Sequence, residues 1–154
     1  MQTQSKSPMS LHEVRDLVQR ELMELIGRIE LDRDGDFSFT FDSAQVFIGI
    51  RPHELKRDVQ STLVRVFSIT NVDVPISAEL YRFIALRSAD YVFGSLGAIE
   101  DGDSTARIVF KHTLLGDYLD PEEIAAAVML VALGADEVDD EITKMFGGTR
   151  FTDS

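Results

Sequence analysis

One apolar stripe near the end of the chain constrains the fold more than any other feature. Ile124, Val128, Val131, Ala135, Val138, Ile142 and Met145 recur at alternating steps of four and three residues, one face of a helix roughly six turns long. Asp120 as N-cap, Pro121 at the first helical position and Glu123 three residues after the cap mark its start. Gly147-Gly148 marks its end. Up to Leu133 the segment is apolar on nearly every face, so that half must be buried in a larger core. Beyond Gly134 only the stripe is apolar, and Asp136, Glu137, Asp139, Asp140 and Glu141 read as a solvated outer face. Gly134 offers an alternative, a break with Asp136 capping a new helix, but the unbroken stripe favours one long helix.

A helix buried on most sides needs another layer to bury it, and the preceding sequence supplies a sheet. Ser10 and Glu13 form a capping box, and Leu11, Val14, Leu17, Val18, Leu22, Leu25, Ile26 and Ile29 follow at helical spacing, ending near Glu30. After the turn-rich run Asp32–Asp36 the period falls to two. Phe37, Phe39 and Phe41 alternate with Ser38 and Thr40 in one strand. Asp42-Ser43 turns the chain into a second strand with Val46, Ile48 and Ile50, which Pro52 is expected to end. A third runs from about Gln60 to Thr70. Pro75 and Ser77 open a central helix expected to bury Leu80, Tyr81, Phe83 and Ile84. Tyr91–Ala98 and Ala106–Leu114, joined by the turn Glu100-Asp101-Gly102-Asp103, complete the strands, with Ile108, Phe110 and His112 on one face.

The order α-β-β-β-α-β-β-α defines an α+β, two-layer fold with an antiparallel sheet. Residues 1–9 are expected as a flexible tail, 10–148 as a single domain and 149–154 as a second tail. With 154 residues, one core is the natural outcome.

Charge narrows the choice of partner. The net charge is −12, and residues 115–154 hold ten acids against two bases. Such a chain repels phosphate backbones and anionic lipid heads, so no nucleic acid and no membrane partner is expected. Cysteine is absent, which removes disulfides, thiolate nucleophiles and Cys-liganded zinc. The start of the chain has no signal-like apolar run, and no stretch reaches the roughly 18 apolar residues of a membrane span, so a soluble cytoplasmic protein is expected.

Catalytic patterns do not emerge. Asp32-x-Asp34-Gly35-Asp36 has its glycine at the wrong position for an EF-hand and lacks the closing Glu, and reads as a polar turn. His12, His53 and His112 fall on three different elements without metal-ligand spacing. Gly94-Ser95-Leu96-Gly97 lacks the Lys-Ser/Thr of a phosphate loop, and no GxSxG occurs. Arg51, His53, Lys56 and Arg57 form a local basic patch diluted by Glu54 and Asp58. The expectation is no enzyme activity, no cofactor and no metal.

The element order resembles the fold shared by type III secretion chaperones of the CesT kind and the YbjN family. Leu80-Tyr81-Arg82-Phe83, Phe93-Gly94, Arg107–His112, Ala135–Ile142 and Phe146-Gly147-Gly148 are similar to segments of YbjN-type actinobacterial proteins, so the resemblance spans about residues 10–148. It implies a non-enzymatic, chaperone-like module that binds another protein or a peptide segment. The alternative it implies is a regulatory homodimer of the sensory-transduction type, without cargo.

The residues suggest where a segment would dock. Phe47, Val64 and Val66 are expected to project from one face of the sheet, opposite Phe39, Ile48 and Phe67. A helix of the same chain or a second protomer are the other candidates to cover that strip. For a homodimer, five acids beside Val138, Ile142 and Met145 would oppose pairing through the last helix, which leaves the central helix or a sheet edge.

Overall fold

The computed structural model describes residues 6–154; residues 1–5 of the expected N-terminal tail lie outside that range. Among the described residues there are three α-helices and seven strands. These are α1 (Leu11–Leu25), β1 (Glu30–Leu31), β2 (Phe37–Phe41), β3 (Ala44–Lys56), β4 (Val59–Pro75), α2 (Ala78–Ser88), β5 (Ser95–Asp101), β6 (Thr105–Leu115), α3 (Pro121–Phe146) and β7 (Thr149–Arg150), with a final 3-10 turn at Phe151–Asp153. The expected order survives, extended by the two-residue strands β1 and β7.

All pairings are antiparallel, and the sheet runs β1-β2-β3-β4-β6-β5, with β7 paired to the far end of β4. The helices share one face. Helix α3 lies in the middle, over β4 with β3 and β6, α1 beside it over β3, and α2 on the other flank at β5. Along α3, Ile124, Val128, Val131, Ala135, Val138 and Ile142 are fully buried, each Val or Ile worth about 1.5–3 kcal/mol relative to exposure. Met145, the last residue of the expected stripe, is 59% exposed. Opposite them stand Val46, Ile48, Ile50, Val64, Val66, Ile108 and Phe110.

The caps form as the residues dictate. The Ser10 Oγ accepts from the Glu13 N–H at 3.2 Å, the Ser77 Oγ from the Leu80 N–H at 3.0 Å, and the Glu123 carboxylate from the Asp120 N–H at 3.2 Å. Helix α3 is continuous through Gly134.

Strand β4, expected to end near Thr70, runs on to Pro75 because its far end pairs with β7 and with β6. Four other boundaries differ from expectation, each for a physical reason. Helix α1 stops at Leu25 rather than near Glu30, because Gly27 takes a left-handed φ of 83° and releases the chain. Strand β3 passes through Pro52 to Lys56. Beyond Ile48 β2 no longer pairs with β3, so Pro52 sits on a sheet edge where a missing N–H costs no ladder bond. Strand β5 begins at Ser95, not Tyr91, after Gly94 turns the chain at φ 81°. Residues 149–153 are not a loose tail: β7 pairs with Asn71 and Val72, and the 3-10 turn packs against β3 and β4. At the other end, the Met9 N–H donates to the Asp117 carbonyl at 2.8 Å, which ties the chain down just before α1.

Candidate functional site

In an antiparallel pair, directly opposed residues share a face. The β3–β4 register pairs Ile48 with Val66, Ile50 with Val64, and Phe47 with Phe67. The first two pairs lie under the helices, and Val64 and Val66 are both at 0% exposure. Of the three residues expected to form one strip, only Phe47 lies on the face away from the helices. Phe67, expected on the Ile48 side, is its partner there, the two rings stacked at 5.2 Å and 19°. The expected face assignment is therefore reversed between β3 and β4. Alternation within each strand was readable, but reading Pro52 as a strand end hid the hairpin at Arg57-Asp58 from which the register is counted outward.

None of the three α-helices packs on this second face. It carries Phe47 from β3, Leu63, Phe67 and Ile69 from β4, Val109 from β6 and Ile99 from β5, brought level by the β4–β6 and β5–β6 registers. Two glycines interrupt it. Gly49 pairs with Arg65 and Gly97 with Val109, and where each lacks a side chain the surface sinks. One hollow, about 230 Å³, is bounded by Gly49, Arg51, Leu63, Arg65 and Phe67, with the Asp36 carboxylate beside Gly49. The second, about 260 Å³, is bounded by Phe67, Ile69, Gly97, Ile99, Val109 and Lys111, and Arg65 and Phe67 form the ridge between them.

Cations line this face. Arg51 donates to the Asp36 carboxylate at 2.7 Å, and Arg107 to Asp101 at 2.7 Å. Arg65 and Lys111, both exposed, enter no ion pair among the described residues. At the end of the face nearest β7, the Phe151 ring meets Phe47 edge-on at 6.1 Å and 69°, and the Thr152 hydroxyl donates to the Ser43 carbonyl at 2.8 Å.

The acidic run of α3 is only in part the solvated face expected of it: Glu137 and Asp140 are exposed, but cations of the same chain meet them and Asp139 is buried. Arg87 of α2 donates to Glu137 at 3.0 Å and Glu141 at 3.2 Å, and its guanidinium stands 5.1 Å from the Tyr91 ring centre. Arg150 reaches Asp140 at 3.1 Å. Asp139 faces inward at 1% exposure, because it lies four residues after Ala135 and three before Ile142 and so falls on the buried seam. Its Oδ2 lies 2.6 Å from the Ser43 Oγ, which also bonds the Asp136 Oδ1. A serine hydroxyl has one proton and donates to only one of the two carboxyls at a time. Asp136 also accepts the Ser43 N–H at 2.9 Å. Burial raises the Asp139 carboxyl above its ordinary value, against the opposing pull of the Ser43 bond, so it holds a proton more readily than a free aspartate.

The remaining chemical candidates do not converge. His12 is exposed beside Asp16, His53 lies at the rim of the first hollow, and the His112 Nδ1 accepts the Gly94 N–H at 3.2 Å. The Asp32 carboxylate accepts the N–H groups of Asp34 and Asp36, both at 2.9 Å, and is spent on holding its own turn. No group of three His, Cys, Asp or Glu side chains among the described residues is placed to hold a metal ion. No helix among them is long and apolar enough to cross a membrane.

An antiparallel sheet covered by helices on one side, with β-β-β-α-β-β connectivity between two terminal helices, is the architecture of the type III secretion chaperones. The fold is similar to that of the Yersinia pestis type III secretion chaperone SycH in complex with a stable fragment of YscM2, with a TM-score of 0.51 and 17% sequence identity, over 80% of this chain and 98% of that one. Residues 12–154 match the family described as TY-Chap1, T3SS (YopN, CesT) and YbjN peptide-binding chaperone 1, and the chain belongs to that family. Family and neighbour alike are described as chaperones. Comparison with curated protein sequences yields no match.

Proposed function

We propose that this chain holds an extended protein segment on the uncovered face of its sheet, across Phe47, Phe67, Ile69, Val109 and Ile99. One observation carries the reading: apolar side chains from four adjacent strands line a face that none of the three α-helices among the described residues packs against. The family's peptide-binding description and the partner fragment named with SycH agree with a protein ligand. Val64 and Val66 serve the site from beneath, since they anchor the strand that presents Arg65 and Phe67. The protein acts by binding, without catalysis, in a soluble compartment.

The test is an array of overlapping extended peptides probed with the purified protein and with the double variant Phe67→Ser, Ile99→Ser. Both positions lie on the solvent side, so the variant folds. Loss of most bound peptides supports the open face, and an unchanged array rejects it.

A second copy of the chain is the other partner for which it offers a surface. The groove between α2 and the end of α3 exposes Leu86 at 58% and Met145 at 59% beside Phe83 and Phe146. Light scattering of wild type and Leu86→Glu decides whether a dimer forms there.

A further inference from the structure

From the charges around the two hollows, we infer that the open face selects an extended segment in which acidic residues alternate with apolar ones. The inference rests on the proposed peptide site and specifies its ligand. The whole chain is strongly acidic, at −12, which disfavours an anionic partner at long range. Locally the sign is opposite. Asp36 and Asp101 are each neutralised by an arginine 2.7 Å away, and Arg65 and Lys111 are left as cations without a partner among the described residues. They stand on the two central strands: Lys111 is paired directly with Phe67, and Arg65 lies two residues from it on the same face. An apolar side chain seated in either hollow therefore has a cation beside it.

The spacing suits an extended ligand. Strand side chains alternate, so every second residue of a bound segment faces the sheet and its neighbours face away or toward the rim. Small apolar or aromatic residues fit hollows of about 230 and 260 Å³. The intervening carboxylates come within reach of the long, mobile side chains of Arg65 and Lys111, as charge-assisted acceptors.

Fluorescence anisotropy with two labelled decapeptides tests this on the full chain. One alternates Asp with Phe, Ile and Val; the other carries Lys at every Asp. At low salt the acidic peptide is expected to bind about tenfold more tightly, with the preference shrinking in 0.5 M salt. Arg65→Glu with Lys111→Glu, both exposed and remote from the core, is expected to reverse the order. Equal binding, or tighter binding of the Lys peptide to the wild type, overturns the inference. If both peptides bind equally and Phe67→Ser, Ile99→Ser abolishes both, the face is right and the charge selection wrong. If that variant binds the acidic peptide as wild type does, the site itself is wrong. A dimer that Phe67→Ser, Ile99→Ser dissociates would place a second copy on the face and also overturn it.

Discussion

Gly134, in the middle of α3, lies against the ring of Phe110 on β6. A Cβ at position 134 would stand 2.8 Å from the Phe110 Cζ and 3.1 Å from its Cε1. Phe110 is fully buried, with Tyr91 edge-on at 4.7 Å on another side, so the ring has nowhere to go. The glycine lets helix and sheet approach at the centre of the core.

Gly134→Ala therefore sets two effects against each other. Alanine improves helix propensity by about 1 kcal/mol, and overpacking costs about 1–3 kcal/mol. With a ring that cannot move, the cost wins. The variant should lose roughly 1 kcal/mol in urea unfolding, with a Tm lower by about 3 °C. A variant as stable as wild type would show that Phe110 relaxes.

Val64→Ser with Val66→Ser removes two side chains from the core face of β4 and buries two hydroxyls in their place. At about 3 kcal/mol each, the pair approaches the whole stability of a typical domain, about 5–15 kcal/mol. Circular dichroism at 25 °C should show a largely unfolded or strongly destabilised protein. A native-like melting curve would contradict the burial of both valines.

Asp139 makes stability depend on pH in a defined direction. Its folded pKa lies above the unfolded value because burial disfavours the anion. The native state thus holds a proton that the unfolded chain releases, and stability falls as pH rises. The contribution is complete below the ordinary carboxylate value, about 3.9, and is lost as pH climbs to the raised folded value. Asn at position 139 cannot ionise. The stability of Asp139→Asn relative to wild type should increase with pH from about 4 upward and then level off. A difference that stays constant from pH 4 to 8 would mean that Asp139 is ionised throughout.

Arg87 joins α2 to α3 through Glu137, Glu141 and the face of Tyr91. Arg87→Lys keeps the charge but loses the planar fork and the stacking on Tyr91. The partners are partly exposed, so the loss should be about 1 kcal/mol at low salt and smaller in 0.5 M salt. A salt-independent loss would assign the effect to packing alone.

Much of this was legible in the residues. The helix caps at Ser10, Ser77 and Asp120, the turn at Asp42-Ser43 and the stripe of α3 each depend on neighbours a few positions apart. The candidate site was not. Phe47 was found because it alternates with Val46 and Ile48, and Phe67 was misplaced because its face depends on a partner twenty residues away in β3. Asp139 was read with the acids around it, although its helical position puts it on the buried seam; only the Ser43 contact explains why a carboxyl is tolerated there.

The sequence by itself determined which segments are helix or strand, their order, and the alternation within each, since these follow from short-range sterics, capping and the two periods of 3.6 and 2. Tertiary structure alone decided how the faces of neighbouring strands align, which acids find cations, and which side of the sheet stays open. Those are relations between residues far apart in the chain, settled by register and packing. A strand's own pattern divides its residues into two faces, but only its pairing with the next strand says which of the two meets the helices.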